Sequence, residues 1–326
     1  MLTSIEICAG GGGQALGLEQ AGFEHSELVE LDRAACHTLR VNRPLWTVKQ
    51  VDVKQYRFTG SSHINLFAGG VPCPPFSDAG KQLGEQDERD LFPHALRLVE
   101  EIQPDAVMLE NVRGLMRPAF AAYRHAILAR LNQAGYRSDW HVINSSDFGV
   151  PQLRPRSILV ALREEIYRYY NPPFPRVEKK LTVAEAIGDL MHENGWLGYD
   201  AWRQKANTIA PTLVGGSKKH GGADLGPSRA KAKWLTLGIN GKSLAEEAPD
   251  KKYIGNPRLT LKMVARLQGF PDEWQFTGRK TEAYRQIGNA FPPPVARAFG
   301  EAIQKAILAY YGAKQVVGKS KAAQLL

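Results

Sequence analysis

The apolar run Ile5-Glu6-Ile7-Cys8-Ala9 passes directly into four consecutive glycines, Gly10 to Gly13, and then into a helix-forming stretch, residues 14–20. Glycine at such a junction permits a tight turn and lets a ligand approach the backbone closely. The amides at the start of the helix that follows suit an anionic or polar ligand group. Further strand signals appear at residues 28–29, 64–68, 106–109, 141–143 and 158–162. Helix signals lie between them. Residues 34–41 follow Asp32, an N-cap type; residues 93–102 begin with proline; residues 119–134 stop at Gly135. Strands and helices alternating at this spacing predict an α/β fold with a mostly parallel sheet.

After Arg163 the alternation ends. Pro172, Pro173 and Pro175 mark a crossing, and residues 182–191 read as a helix capped by Thr182 with Glu185 closing a capping box. From residue 195 to 257 glycine and lysine dominate and periodicity is poor. This stretch reads as a loop-rich second domain, because Trp196, Trp202, Trp234 and Leu235 need burial. Helical patterning returns at 260–267 and at 294–311, the latter with Val295, Phe299, Ile303, Ile307 and Tyr310 on one face; the tail from Lys314 is expected to fray.

Charge divides the same way. Residues 1–150 carry 14 Lys/Arg against 18 Asp/Glu, residues 151–257 carry 17 against 11, and residues 258–326 carry 11 against 4. A basic second half fits a polyanion docking there, and it equally fits a solvated surface. No apolar stretch is long enough to span a bilayer, and no basic segment of the signal-peptide kind precedes the first strand, so a cytoplasmic protein is expected. The three cysteines, Cys8, Cys36 and Cys73, include no C-x-x-C spacing, which argues against a disulfide framework or a zinc site, and no metal is expected.

The second strand ends at Glu30, about twenty residues beyond the glycines, where a carboxylate can accept hydrogen bonds from ribose hydroxyls. A nucleoside-containing cofactor follows, and the spacing leaves a nicotinamide cofactor and S-adenosylmethionine both open. Asp52, before Val53, suits an adenine amino group or is an ordinary strand-end residue. Cys73 follows a third strand and is flanked by Pro72 and Pro74, which stiffen the loop and favour a nucleophilic thiol over a packed one. Cys8 and Cys36, within a strand and a helix, read as structural thiols. A further strand ends in Glu110-Asn111-Val112. Arg154 and Arg156 enter the next, and their i, i+2 spacing predicts that they project the same way.

Gly10–Gly13, Pro72-Cys73, Glu110-Asn111-Val112, Gln152-x-Arg154-x-Arg156 and Gly288-Asn289 stand in the order found in the DNA (cytosine-5) methyltransferases, which the chain resembles over nearly its whole length, least over 165–257. The resemblance implies a doubly wound, Rossmann-like S-adenosylmethionine-dependent catalytic domain, residues 1–165 plus 278–326, and a smaller target-recognition domain, 166–277. It implies that Cys73 adds to C6 of a flipped-out cytosine, that Glu110 holds or shares a proton at N3, that Arg154 bonds O2, and that Arg156 holds neighbouring carboxylates. The cofactor site would comprise Cys8, Gly10, Gly12, Gly13, Glu30, Leu31, Asp52, Val53, Pro72, Leu91 and Asn289, with Glu30 at the ribose, Leu31 as an apolar wall for adenine and Asn289 at the methionine part. S-adenosylhomocysteine would be the product. Ser77, Lys81, Gln82 and Arg89 would lie on a loop closing over double-stranded DNA, and Lys218, Lys219 and His220 near the recognition segment. The helix from Pro294 would return to pack beside the first strand. The implied enzyme is a monomer of the restriction-modification type, near the nucleoid, with a cognate endonuclease as a separate protein. The alternatives are a tRNA cytosine-5 methyltransferase, against which stands the absence of Cys-Phe-Thr, a nicotinamide-dependent oxidoreductase, which leaves Pro72-Cys73 unaccounted for, and a non-catalytic DNA-binding relative, which would lack Cys73 or Glu110.

Overall fold

A computed structural model describes residues 1–71, 90–174, 177–216 and 222–323. Among these, seven strands form one sheet: β1 (Leu2–Ile7), β2 (Phe23–Glu30), β3 (Val48–Gln50), β4 (Leu66–Gly70), β5 (Ala106–Val112), β6 (Tyr136–Asn144) and β7 (Pro155–Arg163). Their order is β3-β2-β1-β4-β5-β7-β6. β1 to β5 are parallel, and β7 alone is reversed, running antiparallel to β5 and β6. This is the doubly wound, mostly parallel sheet expected from the sequence. The chain winds outward from β1 to β3 and then restarts at β4, so the ligand crevice of such a sheet lies outside the carboxyl ends of β1 and β4. Reversal of β7 brings its first residues to that same edge, with Arg156 opposite Val112.

Side-chain alternation supplies each face with a core. On one face, α3 (Phe92–Ile102) and α4 (Ala121–Gln133) pack Leu98, Val99 and Ile127 onto Ile5, Ile7, Phe67, Val107 and Leu109. The other face carries α1 (Gly13–Gln20), α2 (Arg33–Asn42) and the short α5 (Glu164–Tyr167). The last helix, α11 (Pro293–Ala323), joins this face and returns beside α1 and β1: Val295, Phe299, Ile303 and Ile307 pack with Leu18, Ala21, Leu66 and Met108. The expected fraying after Lys314 is corrected by helical backbone through Ala323.

A separate apolar cluster occupies the second half. It joins α6 (Val183–Met191), α7 (Tyr199–Lys205), α8 (Ser228–Thr236), α9 (Leu261–Leu267) and α10 (Lys280–Asn289) around Trp196, Trp202, Trp234 and Trp274. Thr182 and Glu185 form the expected capping box of α6. Leu235 corrects an expectation: it is 56% exposed while Trp234 is fully buried, because adjacent helical residues point about 100° apart and the indole takes the inward position. The cluster touches the sheet domain at Leu16 of α1.

Candidate functional site

Tight backbone turns build the loop after β1. Cys8 and Gly10 both have φ 54 and Gly12 has φ 87, left-handed values that favour glycine. Glu30, at the end of β2, braces the loop. One carboxylate oxygen accepts from the Gly10 amide at 2.7 Å, and the other accepts from the Leu31 and Asp32 amides, also at 2.7 Å. The oxygen that meets Gly10 retains capacity for a further donor such as a ribose hydroxyl. Asp32 then caps α2 by accepting from Ala34 and Ala35.

Beside Glu30, Leu31 is 59% exposed, a bare apolar surface next to a carboxylate. The Val51 amide donates to the Glu30 carbonyl at 3.1 Å, and Asp52 follows with its carboxylate accepting from the Lys54 amide. Val53 is buried in the cluster that Leu91 edges. The Cys8 thiol is pushed far above its ordinary range by burial first and then by Glu30, Glu6 and Asp52, which suits a wall residue rather than a nucleophile. The Cys36 thiol is pushed up to about 11, chiefly by burial.

The chain from α9 to α11 closes over the glycine loop. The Trp274 indole N–H donates to the Gly11 carbonyl at 3.0 Å. A Cβ at Gly13 would stand 2.3 Å from the Phe291 carbonyl oxygen and 3.1 Å from the Ala290 Cβ, so only glycine fits there. The Asn289 amide donates to the Gly216 carbonyl at 3.1 Å, and Gln286, Ala290 and Phe291 of the same segment meet the glycine loop. Trp274 and Gln286 were missed at the sequence level, since an aromatic on a loop and a helical glutamine carry no spacing signal.

Across the crevice, Arg156 Nε lies 2.7 Å from Glu110 Oε1, and both side chains are largely buried. Arg156 faces Val112 in the β5–β7 register, so Glu110 is its diagonal neighbour on the same side of the sheet. Gly70 ties this pair to the glycine loop: a Cβ there would lie 3.7 Å from Glu110 Oε2 and 3.8 Å from the Cys8 carbonyl oxygen. Asn111 donates to the Val71 carbonyl at 3.1 Å, anchoring the chain just before residue 72.

Arg154 does not accompany Arg156. It is 1% exposed, with Nη1 donating to the Leu213 carbonyl at 2.9 Å and Nη2 to the carbonyls of Gly288 at 2.9 Å and Ala290 at 3.1 Å. The expected shared direction fails because the strand starts at Pro155, so Arg154 lies outside its alternation. Burial holds its pKa well below the guanidinium norm. Gln152 is buried too, donating to the Leu267 carbonyl and Gln268 Oε1 and accepting from the Leu213 amide.

Pro72, Cys73, Ser77, Lys81, Gln82, Arg89, Lys218, Lys219 and His220 lie outside the described residues. Among the described residues, no group of three or more His, Cys, Asp or Glu could hold a metal, and no helix is long and apolar enough to cross a membrane. Exposed cations that sequence reasoning passed over, Arg203, Lys205, Arg229, Lys233, Lys251 and Lys252, stud the second half.

Comparison with known proteins agrees with this geometry. The family model for the C-5 cytosine-specific DNA methylase matches residues 2–305. The type II methyltransferase M.NaeI of Lentzea aerocolonigenes is 54% identical over 313 residues, which cover 94% of this chain and 75% of that protein. The type II methyltransferase M.NgoMIV of Neisseria gonorrhoeae is 52% identical over 307 residues, covering 94% and 98%. Among solved structures, a protein encoded within an E. coli prophage aligns with a TM-score of 0.66 at 24% identity, over 94% of this chain and 99% of that one, a likeness of fold. With a glycine-turned crevice, a Glu–Arg pair at its rim and these relatives, the chain belongs to the C-5 cytosine-specific DNA methylases and is a DNA (cytosine-5) methyltransferase.

Proposed function

We propose that the enzyme methylates one cytosine of a fixed duplex sequence, with S-adenosylmethionine as donor and Cys73 as covalent nucleophile. The observation that carries this reading is the Glu110–Arg156 pair seated against Gly70, one residue's width from the Cys8 carbonyl. Cys73 stands two residues beyond Val71 in the sequence and lies outside the described residues.

The residues present fit an adenosyl group. Glu30 offers acceptor capacity, Leu31 an apolar face and Asp52 a second carboxylate, while the turn at Gly10, Gly12 and Gly13 excludes side chains from the crevice. Once bound, the donor supplies an electrophilic sulfonium methyl that C5 of the activated ring takes.

The protein's part is to activate the ring. Cytosine C5 is too weak a nucleophile unaided. The Cys73 thiolate adds to C6, and the electron pair displaced from the C5–C6 bond is delocalised toward N3. Glu110 places a proton there, its direction fixed by Arg156. Arg156, rather than Arg154, is the cation beside that carboxylate, and we assign it the contact to O2. Solvent then takes the C5 proton, its bond pair re-forms the C5–C6 double bond as the thiolate leaves C6, and N3 returns its proton to Glu110. The base must first leave the duplex, at a cost of a few kcal/mol in stacking and pairing.

The division into residues 1–165 plus 278–326 and 166–277 suits a cofactor half and a DNA half, with the separate tryptophan-rich cluster supporting the latter. Exposed cations there would hold phosphates alongside Ser77, Lys81, Gln82, Arg89, Lys218, Lys219 and His220. A monomer guarding cytoplasmic DNA against a separate endonuclease completes the reading. The test is incubation with methyl-labelled S-adenosylmethionine and mixed-sequence duplex, followed by nucleoside digestion and bisulfite sequencing. The expected product is 5-methylcytosine at a single motif. Label on an exocyclic nitrogen, or in RNA but not DNA, would overturn the reading.

A further inference from the structure

The seam at residues 152–154 joins three stretches distant in sequence. Leu153 donates its amide to the Ala210 carbonyl at 2.8 Å, and Thr212 Oγ1 donates to the Leu153 carbonyl at 2.5 Å. Gln152 holds Leu213 on one side and Leu267 and Gln268 on the other. Gln268 reaches the Ala290 carbonyl at 2.6 Å, the same oxygen that Arg154 meets. Arg154 closes the figure: one guanidinium nitrogen holds Leu213, the other holds Gly288 and Ala290.

Each end of this bridge leads to a functional surface. Leu213 precedes Gly215, whose backbone is pressed so closely on Gly288 that a Cβ at Gly288 would stand 2.5 Å from the Gly215 Cα. That stretch runs toward Lys218 and Lys219. Ala290 and Phe291 press on Gly13 of the cofactor loop. The guanidinium sits at the carboxyl end of α10, where a cation is favoured by the exposed carbonyls. A planar fork suits two separate acceptor directions, whereas a lysine ammonium presents a single nitrogen.

We propose that Arg154 is a positioning residue that couples cofactor binding to DNA binding, by locking the segment that precedes Lys218 and Lys219 in the sequence to the segment that clamps the glycine turn. The proposal rests on the reading of the protein as an S-adenosylmethionine-dependent DNA methylase and assigns Arg154 no contact with cytosine. A shift at Gly13 when the crevice fills is transmitted through Ala290 and the guanidinium to Leu213, and linkage requires the reverse effect to be equal.

The experiment measures duplex affinity with and without saturating S-adenosylhomocysteine, for the wild type, Arg154→Lys, Arg154→Met and the milder Thr212→Val. The duplex carries the motif found by labelled transfer. The expected wild-type result is that the homocysteine product tightens DNA binding about tenfold, within the usual range of coupling between sites. Arg154→Lys keeps the charge and is expected to cut the effect to about twofold or less, Arg154→Met likewise, and Thr212→Val to lower it partly. Affinity for S-adenosylhomocysteine without DNA should stay within about threefold of wild type in Arg154→Lys and Thr212→Val. Full coupling in Arg154→Lys, or a wild type that methylates without coupling, would overturn the proposal. So would normal coupling in Arg154→Lys with slowed bond formation to the base, which would place Arg154 on the substrate. A wild type that transfers no methyl group to DNA would instead defeat the functional reading beneath it.

Discussion

Arg156 and Arg154 are two residues apart, yet they belong to different regions of the molecule. Arg156 stands at the open rim of the sheet, paired with Glu110 beside the crevice. Arg154 lies in a closed seam, its charge answered by three main-chain carbonyls. At the rim, a strand end places a charged group where a ligand arrives. In the seam, the same residue type joins segments and sees no solvent. A repeated Arg-x-Arg spacing therefore does not make two equivalent groups when a proline separates them and the strand starts between.

Substitutions can sharpen that contrast. The largest effect is expected at the rim. Arg156→Ala should lower kcat by about 10²–10⁴-fold with little change in cofactor affinity, because it releases the carboxylate we propose to serve N3. Arg154→Lys, in the seam, should act mainly on DNA affinity. Single-turnover transfer rates and separate binding titrations check both, and equal kcat losses at the two positions would erase the distinction.

Next comes stability in the second half. Trp234 is fully buried at the centre of the tryptophan-rich cluster. Trp234→Ala should cost about 3–5 kcal/mol in denaturant unfolding. Trp234→Phe should cost less, since the indole N–H has no partner among the described residues.

Two buried groups under the glycine loop give pH effects. His25 is held between Ser4 Oγ and the Ala15 carbonyl, at 2.9 Å each, and burial pulls its pKa down to about 4. The unfolded chain therefore binds more protons between pH 6.5 and 4, and stability should fall as pH drops through that window, by up to about 3 kcal/mol. Glu6 has the opposite sign. Its carboxyl is fully buried, neither oxygen has a partner among the described residues, and burial followed by Glu30 raises its pKa well above the usual range. The folded form then holds a proton that the unfolded form releases, so stability falls as pH rises past the ordinary carboxylate value. Glu6→Gln should be nearly neutral in acid and stabilise by about 1–2 kcal/mol near pH 8. Thermal melts across pH 4–8 read both effects, and a flat Glu6→Gln difference would show that the carboxyl has found a partner.

What could be read from the chain followed the physics of each region. The sheet edge was legible because strand ends announce themselves: the glycines after Ile7, Glu30 at the end of β2 and Glu110 near the end of β5 lie where alternation places them. The cap of α2 by Asp32 and the capping box of α6 were legible because they depend on neighbours three residues away. The seam was not, since Leu213, Leu267 and Ala290 enter through carbonyl groups that any residue carries. Nor was the cover of the glycine loop by Trp274, a contact made 263 positions away in sequence. Helices α7 and α8 escaped because each buries little besides one tryptophan, too few apolar positions to set a period.

The central claim concerns a bond between sulfur and carbon. A duplex with 5-fluorocytosine at the methylated position, incubated with enzyme and S-adenosylmethionine, tests it, since fluorine cannot leave C5 as the proton does. Peptide mass spectrometry should recover a DNA adduct on the tryptic peptide bearing Cys73, and Cys73→Ala should give none. Turnover on ordinary DNA with no adduct on the fluorinated duplex, or an adduct on Cys8 or Cys36, would contradict the account.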